Sequence, residues 1–441
     1  MTSGHITSIS WLIGGKGSQI ICALAVGGWV ARYLGPDQFG VLSYCLAFVS
    51  LFGAIAGMGL DQLIIKHLAS ARFEPGKLMG SSFCIRLWAS ALLTAIALAI
   101  SYFVQGDGPV VMLMIGMMCA GLLFQSADVI DLWYQSSLRS RQIVIPNQIS
   151  VVISSIYEVL LVGCKAGVVF FAASVPAKAV IKAVVSFRFY SKDPSRPGAW
   201  RCDPDCLKTL LVEGWPLVIT SLSIIIYARI DQVMIEAMAG PAEVGIYSAA
   251  ARVMEQWCYV PIAVVQTLYP TLIRLREASE RDYRRLIYLT FCGLTLICFA
   301  MSFLTVFFAG PGIRLLYGPE YSESAQVLAM LMWSSLFVSL GLVRSRWLMI
   351  EGEGKFLMTA SILGAISNVG LNYWLIPIHG ALGAAAATLI SYGLASVVTG
   401  AVSRRVRPIF WLQIRAIGTL GIPAILHGRE YSRLLGSVGR R

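Results

Sequence analysis

The chain has 441 residues, of which 57% are hydrophobic and only 13% charged, with mean hydropathy +0.73 and a formal net charge of +12. A soluble globular protein carries about 25% charged residues, so composition excludes a soluble fold. Apolar stretches of about 20 residues, the length a helix needs to cross hydrocarbon, recur along the whole chain.

In chain order, hydropathy predicts twelve spans, at 9–31, 41–62, 82–104, 109–134, 144–162, 167–187, 211–237, 245–270, 286–309, 323–344, 356–377 and 381–402. The first reads as a retained helix. It lacks a basic start, and its apolar run reaches Val30 without an A-x-A-type cleavage site. A tight Gly35-Pro36 corner separates spans one and two. The corner returns between spans seven and eight, where Gly240, Pro241, Gly245 and Ser248 repeat Gly35, Pro36, Gly40 and Ser43 at one offset of 205 residues. The chain therefore reads as two halves that open alike: a bundle of six helices at 1–187, a linker at 188–210 holding Pro194, Pro197 and Pro204, and a second bundle at 211–402. The tail, 403–441, is basic, and its apolar stretch 409–426 contains Arg415 and Pro423. It reads as an interfacial helix in preference to a thirteenth span.

Lys and Arg set the orientation. With the N-terminus cytoplasmic, 26 of the 35 cations fall in the even-numbered loops and tail and only three, Arg32, Lys165 and Arg314, in the opposite loops. Both termini are thus expected inside, and the net charge reads as this asymmetry and not as a nucleic-acid patch. Seven of the ten cysteines sit in apolar runs as small hydrophobes. The lone C-x3-C of Cys202 and Cys206 has no second pair or nearby His to make a zinc site. Loops are short, with no nucleotide-binding loop and no G-x-S-x-G elbow, which opposes an enzyme.

The segments ARYLGPDQFGVLSY, IDQVMIEAMAGPAEVGIYSAAARVME and SNVGLNYWLIPIHGALGAAAATLISYG closely resemble the polysaccharide transporters of the multidrug/oligosaccharidyl-lipid/polysaccharide superfamily. Within it the chain resembles lipid-linked oligosaccharide (O-antigen-type) flippases over residues 9–402. The resemblance implies an all-α membrane protein with two six-helix bundles around a central cavity. It implies alternating access that moves an undecaprenyl-diphosphate-linked glycan from the inner to the outer leaflet of the bacterial inner membrane. Polymerase and glycosyltransferases of one pathway are the implied partners, beside membrane lipids. No cofactor is expected, and a proton or Na⁺ gradient is the candidate energy source. A multidrug cation antiporter is the runner-up; a membrane polymerase or ligase is opposed by the short outer loops.

Charged groups inside spans cost about 2.5–3.5 kcal/mol each on insertion scales, so each is a site candidate. Lys178 falls about 15 Å deep in span six and Lys16 about 10 Å deep in span one. Lys16 reads equally as a cavity-wall cation or a snorkelling side chain. Lys182 and Arg86 lie near inner ends, where they are expected to snorkel, and Glu158 is expected to pair with Lys165. The second hairpin places Arg229, Asp231, Arg252 and Glu255 at similar depth, either as a neutralising network or as a cavity site in which Arg229 or Arg252 meets a diphosphate. Leu24 and Ala47 stand at the equivalent places of the first hairpin, so this charge is an addition to one half. Asp128 and Asp131, three apart on span four, either cap a helix or hold a coupling cation, and Asp231 and Glu255 are the further candidates for ion coupling. Asn368 and Asn372, four apart on span eleven, either hydrogen-bond between helices or touch sugar.

Overall fold

The computed structural model describes the backbone of residues 2–428 and 431 apart from 58–59, 71, 106–107 and 138. The side chains of 2–13, 62, 69, 104–105 and 216 fall outside the description, as do the tail cations Arg429, Arg433, Arg440 and Arg441. Among the described residues the chain is helical throughout, as it must be in hydrocarbon, where a helix alone satisfies its own backbone groups without neighbouring strands. The first elements are α1 (Thr2–Ala56), α2 (Asp61–Ala69), α3 (Pro75–Gln105), α4 (Pro109–Gln125) and α5 (Val129–Ser136), with a single 3-10 turn at Ser126–Asp128 joining the last two. There follow α6 (Ser140–Gly163), α7 (Val168–Ala172), α8 (Ser174–Ser191), α9 (Pro204–Ala239), α10 (Pro241–Ala278), α11 (Glu280–Tyr317), α12 (Ser324–Ile350) and α13 (Gly354–Gly393). A π-helical turn at Leu394–Val398 leads into α14 (Thr399–Val402), and α15 (Arg407–Gly418) and α16 (Pro423–Leu426) end the described chain.

Ten helical stretches among the described residues are long and apolar enough to cross a membrane. Two of them break at a glycine with non-helical backbone, α1 at Gly35 and α13 at Gly380, so the ten supply the twelve expected spans. Gly35 (φ 70°, ψ 170°) and Gly240 (φ 88°, ψ 174°) share one conformation, which is nearly closed to residues with a Cβ. Proline follows each, at a position where its missing N–H and fixed φ suit the start of a helix. The sequence repeat is therefore a backbone repeat. Gly318 (φ 96°, ψ 175°) before Pro319 makes the same corner between α11 and α12, a copy the sequence comparison passed over. Large apolar side chains such as Trp88, Phe103, Phe308 and Trp374 stand exposed, as suits a surface solvated by lipid.

The chain divides into two compact units, residues 1–236 and 237–441. In the first, α8 packs against α4 and α6, and α1 against α3, α4 and α6. Arg86 of α3 was expected to snorkel; it is buried and ion-paired with Asp61 of α2. In the second unit α12 is the central helix, packed on α10, α11 and α13. Its Arg344 counted as a loop cation in the charge asymmetry, yet it is buried. It donates to Thr399 Oγ1 at 2.9 Å and to the Ala395 carbonyl at 2.5 Å, inside and just beyond the π-helical turn. Twelve residues make α15 about 18 Å long, too short to cross hydrocarbon. It buries Ile409, Gln413 and Ala416 and leaves Trp411 and Ile414 exposed.

The segment 192–203 is docked along α3 and α8. The Arg201 amide donates to Gly76 O at 3.3 Å, and the Trp200 ring lies against Phe83, Phe187 and Tyr190 while its Nε1 donates to the Tyr190 hydroxyl at 2.8 Å. A Cβ on Gly80 would meet the Arg201 carbonyl oxygen at 2.5 Å, so α3 needs glycine where this segment crosses it. Asp193 anchors the near end, accepting from the Ser195 amide at 2.9 Å and hydroxyl at 2.7 Å and from Arg139 at 2.8 Å. Burial works to raise its carboxyl, but the Ser195 hydrogen bonds, aided by Arg139, hold it below the usual carboxylate range. A depressed folded value means that the clasp is fully present above the ordinary Asp value of about 3.9 and is lost as pH falls through the lower folded one. Asp193→Asn is therefore expected to raise amide exchange across 192–203 at neutral pH, with acid adding little more; hydrogen–deuterium exchange measures both.

Candidate functional site

A cluster of charge within the membrane-spanning helices of the first unit gathers on α8. Lys182 Nζ lies 2.7 Å from Asp128 Oδ1 and 2.9 Å from Asp131 Oδ2. Asp128 closes the 3-10 turn and Asp131 stands in the first turn of α5, so the tighter winding brings both carboxylates to one ammonium. One turn earlier on α8, Lys178 lies within electrostatic reach of Glu158 on α6, of Lys182 and of Lys16 on α1. Lys16 in turn feels Lys182. Three ammonium groups and three carboxylates thus meet from α1, α5 with its preceding turn, α6 and α8.

Accessibility is graded across the cluster. The side chains of Lys182 and Asp131 are 22% and 15% exposed, whereas Lys178 and Lys16 are open. The inner part is therefore a paired charge set, and the outer part offers two accessible cations. Lys182 was expected to snorkel, but two carboxylates hold it inside the bundle. Glu158, expected to pair with Lys165, lies within electrostatic reach of Lys178. Asp128 stands at the N-cap of α5 without a capping hydrogen bond, so of its two sequence readings the capping one falls. The site that reading left for a cation is filled by the chain's own ammonium. The signal for this existed: Asp128-x2-Asp131 and Lys178-x3-Lys182 each share a helix face at nearly the same depth.

The second hairpin's charges fall in both units. Arg229 and Asp231 stand on α9 within the first unit, Arg229 half-buried and Asp231 fully buried. Arg252 and Glu255 stand half-buried on α10 in the second, both within electrostatic reach of the buried Tyr317 at the end of α11. Asn368 and Asn372 are fully buried. Asn372 Nδ2 donates to Asn368 Oδ1 at 3.1 Å and Asn368 Nδ2 to Ser391 Oγ at 3.3 Å, which ties the two arms of α13 together. Their burial and these hydrogen bonds favour the helix-pairing reading. Glu243, opening α10, reinforces that hairpin by accepting the Ala381 amide at 2.7 Å just past Gly380.

A family profile described as polysaccharide biosynthesis protein matches residues 6–276, more than half of the chain. The chain belongs to that family. The profile of the lipid II flippase MurJ matches residues 147–425, so the chain belongs with the MurJ flippases as well. Among curated relatives, a putative O-antigen transporter of Shigella flexneri is 24% identical over 395 residues, spanning 85% of this chain and 92% of its own. A probable low-salt glycan biosynthesis flippase of Haloferax volcanii is 21% identical, over 83% of this chain and 77% of its own. The fold is that of solved superfamily members. A multidrug resistance MATE transporter in its inward-facing conformation superposes with a TM-score of 0.71 at 16% identity, covering 91% of this chain and 95% of that one. MurJ in an inward closed conformation superposes at 0.64 and 14% identity, covering 99% and 100%. The lysine–carboxylate cluster is described from this chain's own geometry.

Proposed function

We propose that this protein is a flippase that carries a lipid-linked oligosaccharide across a bacterial inner membrane by alternating access, with both termini cytoplasmic. The observation that carries the reading is a polysaccharide biosynthesis family, with an O-antigen transporter among the relatives, joined in this chain to accessible lysines on helices long and apolar enough to cross a membrane. A sugar-diphosphate headgroup does not cross hydrocarbon unaided, and Lys178 and Lys16 offer it an anion path while its polyprenyl tail stays in lipid. Arg252 and Arg229 are the cations assigned to the headgroup in the second hairpin, as guanidinium suits phosphate oxygens. Asp231 and Glu255 balance them, and an undecaprenyl carrier is the bacterial lipid such a path would serve.

Lys182 gives the first unit a way to couple. An arriving diphosphate competes with Asp128 and Asp131 for its ammonium, and carboxylates so released take up a proton or Na⁺. Open lysines would repel the organic cations of a multidrug antiporter, so the likeness to MATE transporters is read as one of fold. The function is transport without catalysis, and glycosyltransferases and a polymerase of the same pathway are its proposed partners.

In a strain lacking its own flippase, Lys178→Ala is expected to lower surface glycan at least ten-fold at unchanged membrane abundance, and Arg252→Ala to lower it less. Full display by both variants would remove the cationic-path reading.

A further inference from the structure

At the end of α8, some ten residues past Lys182, a second cationic site opens beyond the lysine cluster. Tyr134, Arg139, Gln142, Arg188, Lys192 and Asp193 line a pocket of about 420 Å³. Three cations face one carboxylate there. Arg139 is held in place by Asp193, by Ser195 Oγ at 2.6 Å and by the Trp133 ring at 5.8 Å. Asp193 is thereby spent on Arg139 and Ser195, and neither Arg188 nor Lys192 has a carboxylate partner among the described residues. Two unmatched, exposed cations beside a fixed guanidinium make a receptor for an anion.

The surroundings say which anion. At about 100° per residue, Val184 and Ser191 lie roughly half a turn around α8 from Lys182, with Phe187 and Arg188 flanking them. Val184 and Phe187 are exposed, and the same face becomes basic at Arg188, with Lys192 following at the residue that caps the helix as it leaves its membrane-spanning stretch at Ser191. An apolar strip running into a basic pocket at a helix end matches acyl chains running into a phosphate headgroup. A free anion would have no use for the strip. We propose that this pocket binds the headgroup of an anionic phospholipid of the surrounding bilayer, independently of the lysine cluster. Bound there, the phosphate bridges α6, α8 and the docked 192–203 segment.

The test uses delipidated full-length protein in neutral detergent, titrated with short-chain phosphatidylglycerol, with phosphatidylcholine and with inorganic phosphate. Thermal unfolding and native mass spectrometry read the binding. Phosphatidylglycerol is expected to stabilise the protein and to be retained. Arg188→Gln combined with Lys192→Gln should weaken it about ten- to thirty-fold, the effect of two cations near an anionic headgroup. Arg404→Gln, which removes an exposed cation of the other unit, should leave it unchanged. Arg188→Lys keeps the charge and should retain most of the affinity, which covers a misfolded double variant. Unaltered phosphatidylglycerol binding in the double variant overturns the site. Equal stabilisation by inorganic phosphate overturns its assignment to lipid.

Discussion

Lys182→Ala is expected to destabilise the first unit by about 2–4 kcal/mol, since removing one partner of a largely buried ion set strands the charges left behind. Those charges are Asp128 and Asp131, which Lys182 holds at 2.7 and 2.9 Å. Denaturant unfolding in detergent measures the loss, and Lys182→Arg should recover much of it. The informative variant is Lys182→Ala together with Asp128→Asn and Asp131→Asn. With no uncompensated charge it should regain most of the stability. If the set serves only to hold helices together, that triple variant also flips glycan normally. The coupling role proposed for it requires the triple variant to fold and reach the membrane yet fail to export. Stability and transport thus separate two readings that one substitution would confuse.

Arg344→Ala is expected to cost the second unit about 2–4 kcal/mol, because the charge-assisted hydrogen bonds of a buried group are lost together with its packing. The π-helical turn at Leu394–Val398 is the reason the site exists. Its wider winding displaces carbonyls from their usual i+4 donors, and Arg344 reaches across from α12 to the one at Ala395. Gln413 of α15 serves Ser396 O in the same way at 3.2 Å. Arg344→Lys should recover part of the loss with its single remaining point of donation, and Arg344→Met should recover packing without the bonds. Amide exchange across 391–402 locates the damage, and an effect confined to transport with exchange unchanged would contradict the structural role.

The positions at which sequence reading succeeded and failed follow one physical division. Span positions were legible because about 20 apolar residues are needed wherever a helix crosses hydrocarbon, and the Gly35 and Gly240 corners because few residues other than glycine adopt that backbone. The motifs around those corners carried the family, and with it the fold. Counting residues from a span's end brought Lys16, Lys178, Asp128 and Asp131 into consideration. Direction was not legible. Lys182 and Arg86 have the depth of snorkelling side chains, and nothing local says that Asp128, Asp131 and Asp61 wait for them on neighbouring helices. Arg344 looked like one more cytoplasmic cation because its acceptors lie in and just past a π-helical turn some fifty residues away in the chain.

By itself the sequence determined that this is a helical membrane protein of twelve spans, where it turns, and to which family it belongs. Each of these depends on composition and local backbone preference, which neighbours in the chain carry. Only the tertiary structure decided which charges meet. A helix fixes the height of a side chain by its place in the chain, but the side to which it points acquires meaning only when other helices pack around it. That packing joined Lys182 to its two carboxylates, buried Asn368 and Asn372 in a helix pair, and left Lys178 and Lys16 exposed.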